Sequence, residues 1–70
     1  MPMNLAIELE REEDGRWIAD IPYLPGTQCY GATRAEALAH VQALALRVLA
    51  ERLEHNEAPA EALTISFEAA

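Results

Sequence analysis

Apolar and polar residues alternate along residues 4–12. Leu5, Ile7 and Leu9 fall on one side, and Ala6, Glu8 and Glu10 on the other. A period of two marks a strand with one face buried. Glu12, Glu13, Asp14 and Gly15 follow, and Asp-Gly between two alternating runs is a hairpin signal. Residues 16–21 alternate again, with Trp17, Ala19 and Ile21 on one face and Arg16, Ile18 and Asp20 on the other. Pro22 ends this strand, since it has no N–H to donate. Pro22-Tyr23-Leu24-Pro25-Gly26 predicts a stiff loop. Its Pro25-Gly26 step suits a type II turn, with Gly26 supplying the positive φ. A short third strand covers residues 28–32, with Cys29 and Gly31 on one face and Gln28 and Tyr30 on the other.

At residue 33 the period changes. The run 33–53 has no Gly or Pro and is dominated by Ala, Leu, Glu, Gln and Arg, all strong helix formers. Thr33 and Glu36 read as a capping box at its start. At ~1.5 Å per residue such a helix is about 30 Å long, enough to cross a small sheet. Ala37, Leu38, Val41, Leu44, Ala45, Val48 and Leu49 fall on one broad side, which is expected to face the sheet. Ala39, Ala43, Leu46, Ala50 and Leu53 form a second apolar stripe beside it. Glu36, His40, Arg47 and Glu51 leave only a narrow polar ridge, with Gln42 and Arg52 at the edges of the apolar side. Two readings of the stripe stand: exposed small residues tolerated by water, or an oligomer interface centred on Leu46, Ala50 and Leu53. Residues 55–59 are a polar connection. Residues 63–68 alternate once more, with Leu63, Ile65 and Phe67 inward and Thr64, Ser66 and Glu68 outward.

These elements predict an α+β fold, β-β-β-α-β, forming one domain over residues 1–70. Three strands make an antiparallel meander. The helix then crosses and returns the fourth strand parallel to the first, giving a four-stranded mixed sheet of order 3-2-1-4. One helix covers one face. The other face is left bare, bearing Glu8, Glu10, Ile18, Tyr30 and Thr64.

The charge balance narrows the function. The chain has 12 acidic and 5 basic residues among 70, a net charge of −7. Phosphate contact needs a basic face, so direct nucleic-acid binding is not expected. An acidic surface suits a basic partner drawn in by its field, or simply a solvated protein. A chain this short is marginal alone, and self-association is a common remedy. One cysteine, Cys29, allows no intrachain disulfide and fits a reducing cytoplasm. The first ten residues lack the pattern of a signal peptide, and the helix is too interrupted by charge to span a membrane.

Candidate chemistry is sparse. Glu8, Glu10 and Asp20 share the bare face, and paired carboxylates there could in principle hold two metal ions. Carboxylates on a solvated strand are more often plain surface, so no metal and no cofactor are expected. His40 and His55 lie far apart, with no other ligand at metal spacing. His40 sits on the polar ridge, where solvation is expected. His55 lies in the last helical turn, where a cation suits the helix dipole. Cys29 has no basic neighbour to activate it and reads as a small filler. Tyr23 and Tyr30 read either as partner anchors or as ordinary packing. No catalytic constellation emerges, and a non-enzymatic role is expected.

The ordered combination Asp14-Gly15-Arg16-Trp17-Ile18-Ala19, Ile21-Pro22-Tyr23-Leu24-Pro25-Gly26, Tyr30-Gly31-Ala32-Thr33 and Glu36-Ala37 resembles the HicB antitoxin family, over about residues 5–67. The resemblance implies a partial ribonuclease-H-like fold without a nuclease site. It implies an antitoxin of a type II toxin-antitoxin system, binding and masking a small basic HicA-type toxin that cleaves mRNA. Glu8, Glu10, Asp20, Tyr23 and Tyr30 are the candidate partner contacts. Many members add a C-terminal DNA-binding domain. The pattern matched here includes none, so operator binding is not carried over to this chain. The alternative is a stand-alone oligomeric adaptor with no toxin partner.

Overall fold

The structure is a computed structural model and describes residues 2–55 and 64–69. Its elements are β1 (Pro2–Arg11), β2 (Trp17–Asp20), β3 (Gln28–Gly31), α1 (Arg34–Glu54) and β4 (Thr64–Ala69). The sheet order is β3-β2-β1-β4. β1 pairs antiparallel with β2, β2 antiparallel with β3, and β1 parallel with β4. The fold is therefore the expected four-stranded mixed sheet with one helix. Element limits shift by one or two residues. β1 starts at Pro2, because Pro2 already has Thr64 as its partner. Leu63 and most of the polar connection after the helix lie outside the described residues.

β1 divides its length between two neighbours. Residues 2–7 pair with β4, and residues 8–11 pair with β2. This stagger draws the molecule out to 42 × 20 × 16 Å. The β1–β2 hairpin closes through a three-residue loop. Glu12 N–H donates to Arg16 O at 2.7 Å, and Gly15 N–H donates to Glu12 O at 3.0 Å. Gly15 has φ +91°, the left-handed conformation that such a loop needs at its last position.

The core follows the two periodicities. Leu5, Ile7, Ala19 and Ile21 come from the sheet side, and Ala37, Val41, Ala45 and Leu49 from the helix. The helical four are spaced by four residues, a single ridge along α1. Three of the expected helix contacts, Leu38, Leu44 and Val48, flank this ridge and are only half-buried. The reason is placement: α1 lies closest to β3, less close to β2 and farthest from β1, so it is not centred on the sheet. Ile65 and Phe67 of β4 face the helix side but stay half-buried for the same reason.

Gly31 sets how closely α1 approaches. An ideal Cβ there would lie 2.4 Å from the backbone N of Ala37. Only a residue without a side chain lets the first helical turn rest on β3. The turn itself is capped, with Thr33 Oγ1 accepting from Glu36 N–H at 3.1 Å. At the other end His55 is the C-cap, and its N–H donates to Glu51 O at 3.1 Å.

Candidate functional site

The helix-free face of the sheet gathers the expected residues. Register places Glu8 directly opposite Asp20, Glu10 opposite Ile18, Ile18 opposite Tyr30, and Asp20 opposite Gln28. Glu8, Glu10, Tyr30 and Thr64 are exposed, while Ile18 and Asp20 are half-buried. Cross-strand neighbours on one face lie ~4.5–5.5 Å apart at Cβ, so Glu8 and Asp20 are a like-charge pair at close range. A shallow groove runs between them, lined by Glu8, Glu10, Glu12, Ile18, Asp20 and Gln28. A second groove continues it toward the hairpin, past Arg11, Glu13, Asp14, Arg16 and Tyr30.

Arg16, one of the two cations along these grooves, is already engaged. Arg16 Nε sits 2.7 Å from Asp14 Oδ2, and its guanidinium carbon lies 4.6 Å from the centre of the Tyr30 ring. Asp14 also accepts the Arg16 backbone N–H at 3.0 Å. That backbone bond, followed by the Arg16 side chain, holds the Asp14 carboxyl below its ordinary pKa. Asp14 thus locks the hairpin tip, and Arg16 stacks that tip against β3. Among the described residues, no three His, Cys, Asp or Glu side chains are placed to hold a metal ion together. The face offers charge and shape, with an apolar floor at Ile18 and an aromatic rim at Tyr30.

Tyr23 stands beyond the end of β2, 69% exposed, on the Pro-rich loop. Two consecutive turns build that loop. Leu24 N–H donates to Ile21 O at 3.0 Å, and Thr27 N–H donates to Leu24 O at 3.1 Å. Gly26 occupies the second turn with φ +87°, as expected of Pro-Gly. Ile21 N–H closes the base by donating to Thr27 O at 3.1 Å. The buried Thr27 hydroxyl shares its one proton between Ile21 O, at 3.1 Å, and Leu24 O. Leu24 is fully buried and pins the loop to the core. Sequence reasoning missed both residues. An apolar residue bracketed by two prolines, with a hydroxyl three residues on, was the available signal.

UPF0150 protein Ta0767 of Thermoplasma acidophilum is 36% identical to this chain over 56 residues, 79% of this chain and 80% of that protein. The chain belongs to the UPF0150 family. No family model matches it, and no solved structure does.

On this UPF0150 chain the helix stripe is narrower than expected. Leu46 is 48% exposed, and Ala39, Ala43 and Ala50 are exposed, but Leu53 is half-buried. Leu53 continues the four-residue spacing of the buried ridge Ala37, Val41, Ala45 and Leu49, which explains its partial cover. His40, expected to be solvated, is exposed but held: its ring Nδ1–H donates to the Tyr30 carbonyl at 2.7 Å. Cys29 is half-buried and packs against the core, consistent with a filler. Among the described residues, no helix is long and apolar enough to cross a membrane.

Proposed function

We propose that this UPF0150 chain is a HicB-like antitoxin domain, which neutralises a small basic HicA-type mRNA-cleaving toxin by occluding it. The supporting observation is the Glu8–Asp20 pair facing itself across the open sheet, with Glu10 beside it and the nearby Arg16 committed to Asp14 and Tyr30. Like charges opposed across strands destabilise a free sheet. A basic partner turns that cost into attraction, and its approach is sped by the chain's net charge of −7. Tyr30 and Ile18 supply apolar contact within the same face, and Tyr23 is presented on a loop whose shape is already set. Preorganisation of that kind lowers the entropy lost on binding.

Co-expression with a basic HicA-type toxin is the direct test. The wild-type chain is expected to relieve growth arrest and to co-purify with the toxin. Glu8→Lys combined with Asp20→Lys is expected to abolish both effects while the variant remains folded. A wild-type chain that neither binds such toxins nor relieves their toxicity sinks the antitoxin reading, and the adaptor role takes its place.

A further inference from the structure

We infer that the outer edge of β4 is a docking edge for β4 of a second copy of this chain, paired antiparallel about Ser66. β4 ends the sheet order, and among the described residues no strand pairs with its outer side. Edge strands are ordinarily guarded by Lys, Pro, a bulge or an outward charge. β4 reads Thr64-Ile65-Ser66-Phe67-Glu68-Ala69, with neither Lys nor Pro, and Glu68 is its one charge. That charge is turned away from the edge. Asn4 Nδ2–H donates to Glu68 Oε2 at 3.0 Å, and Ser66 Oγ–H donates to Asn4 Oδ1 at 3.2 Å. Both polar groups are drawn back over β1, and among the described residues nothing guards the edge.

The sequence of β4 is complementary to itself in one register. With Ser66 opposite Ser66 of the second copy, Ile65 meets Phe67 and Thr64 meets Glu68. Facing residues then share a sheet face, as antiparallel pairing demands. A β-branched residue opposes an aromatic, two hydroxyls oppose each other, and each carboxylate opposes a hydroxyl. All are favourable cross-strand pairs, and no like charges meet. The pairing also extends the apolar side of the sheet where α1 does not reach, next to the half-buried Ile65 and Phe67. The opposite edge is less fit for this role, because the Tyr30 carbonyl of β3 already accepts from His40. The product is a continuous sheet of two copies, with both acidic faces on the same side. The inference does not depend on the antitoxin reading.

Light scattering on the full chain tests the mass, and disulfide trapping tests the register. The wild type is expected to show twice the chain mass, more so at high salt, which screens the −7 charge of each copy. Ser66→Lys opposes two like charges and is expected to weaken the dimer by ~2–5-fold. In a Cys29→Ser background, Ser66→Cys is expected to cross-link on oxidation, since facing Cα atoms lie about 4.5–5.5 Å apart. Thr64→Cys is expected not to, because its two copies would sit about 13 Å apart along the strands. A wild type that stays monomeric at high protein concentration and high salt overturns the inference. So does a dimer disrupted by Leu46→Glu but indifferent to Ser66→Lys, which moves the contact to the helix stripe. Should Ser66→Lys fail to fold by circular dichroism, the two cysteine variants decide: no cross-link, or equal cross-linking from both, overturns it.

Discussion

A methyl group added at Gly31 would lie 2.4 Å from the backbone N of Ala37 and 2.9 Å from its Cα. Neither atom belongs to a flexible side chain, so α1 itself would have to lift off β3. At Gly26 an added Cβ meets nothing within 4 Å, but φ is +87°. One glycine answers to packing and the other to backbone conformation, and substitution separates them. Gly31→Ala is expected to cost about 3 kcal/mol, the upper range for overpacking. Gly26→Ala is expected to cost only ~1–2 kcal/mol, the penalty for an L-residue in the left-handed region. A domain of this size has a total stability of only about 3.5–10 kcal/mol. Urea titration of both variants checks the order, and a Gly31→Ala midpoint equal to that of Gly26→Ala would show that the helix yields more easily than its packing suggests.

At the scale of elements, the strands and the helix were legible because each has a clean period. Alternation in β1 and β2 put Leu5, Ile7, Leu9, Trp17, Ala19 and Ile21 on the inner faces; Leu5, Ile7, Ala19 and Ile21 are buried, and Leu9 and Trp17 are half-buried against them. The boundary at Thr33 was legible from chemistry rather than period. Thr33→Ala removes the acceptor for Glu36 N–H and is expected to cost about 1 kcal/mol. The urea midpoint should fall with an unchanged m-value, and a change in m would mean that the unfolded state had altered instead. What the pattern did not reveal is where the helix lies across the sheet. A broad apolar side is compatible with several positions. The choice was made by Gly31, which draws the N-terminal turn onto β3, and by the small residues Ala37 and Ala45 along the buried ridge. Leu44 and Val48 were assigned to the core by angle alone and are half-buried, because they flank the buried ridge of Ala37, Val41, Ala45 and Leu49 instead of lying on it. The Pro-rich loop was legible as a turn. Its anchors were not, since Leu24 and Thr27 act through tertiary burial and a hydroxyl bifurcated between two carbonyls.

For the whole molecule, the acidic face connects stability with recognition. Glu8 opposes Asp20 in the register, and neither can be replaced in the other's favour without changing the charge that a basic partner would meet. Opposed like charges across a strand pair cost a few tenths to ~1 kcal/mol. Glu8→Gln keeps the side-chain shape and removes the repulsion. It is expected to stabilise the isolated chain by about 0.5 kcal/mol, a rise in Tm of roughly 2–4 °C for a domain of this size. The sign with salt follows from the same cause. Raising the salt concentration screens the pair in the wild type, so the wild-type Tm should rise, and the gap to Glu8→Gln should close. Binding to a basic partner should change in the opposite direction, with association slowed and its salt dependence reduced. Calorimetry of the two proteins at low and high salt, together with their association rates, separates the two effects. A Glu8→Gln variant no more stable than the wild type at low salt would show that Glu8 and Asp20 lean apart in solution, and the stability cost assigned to the acidic face would then vanish.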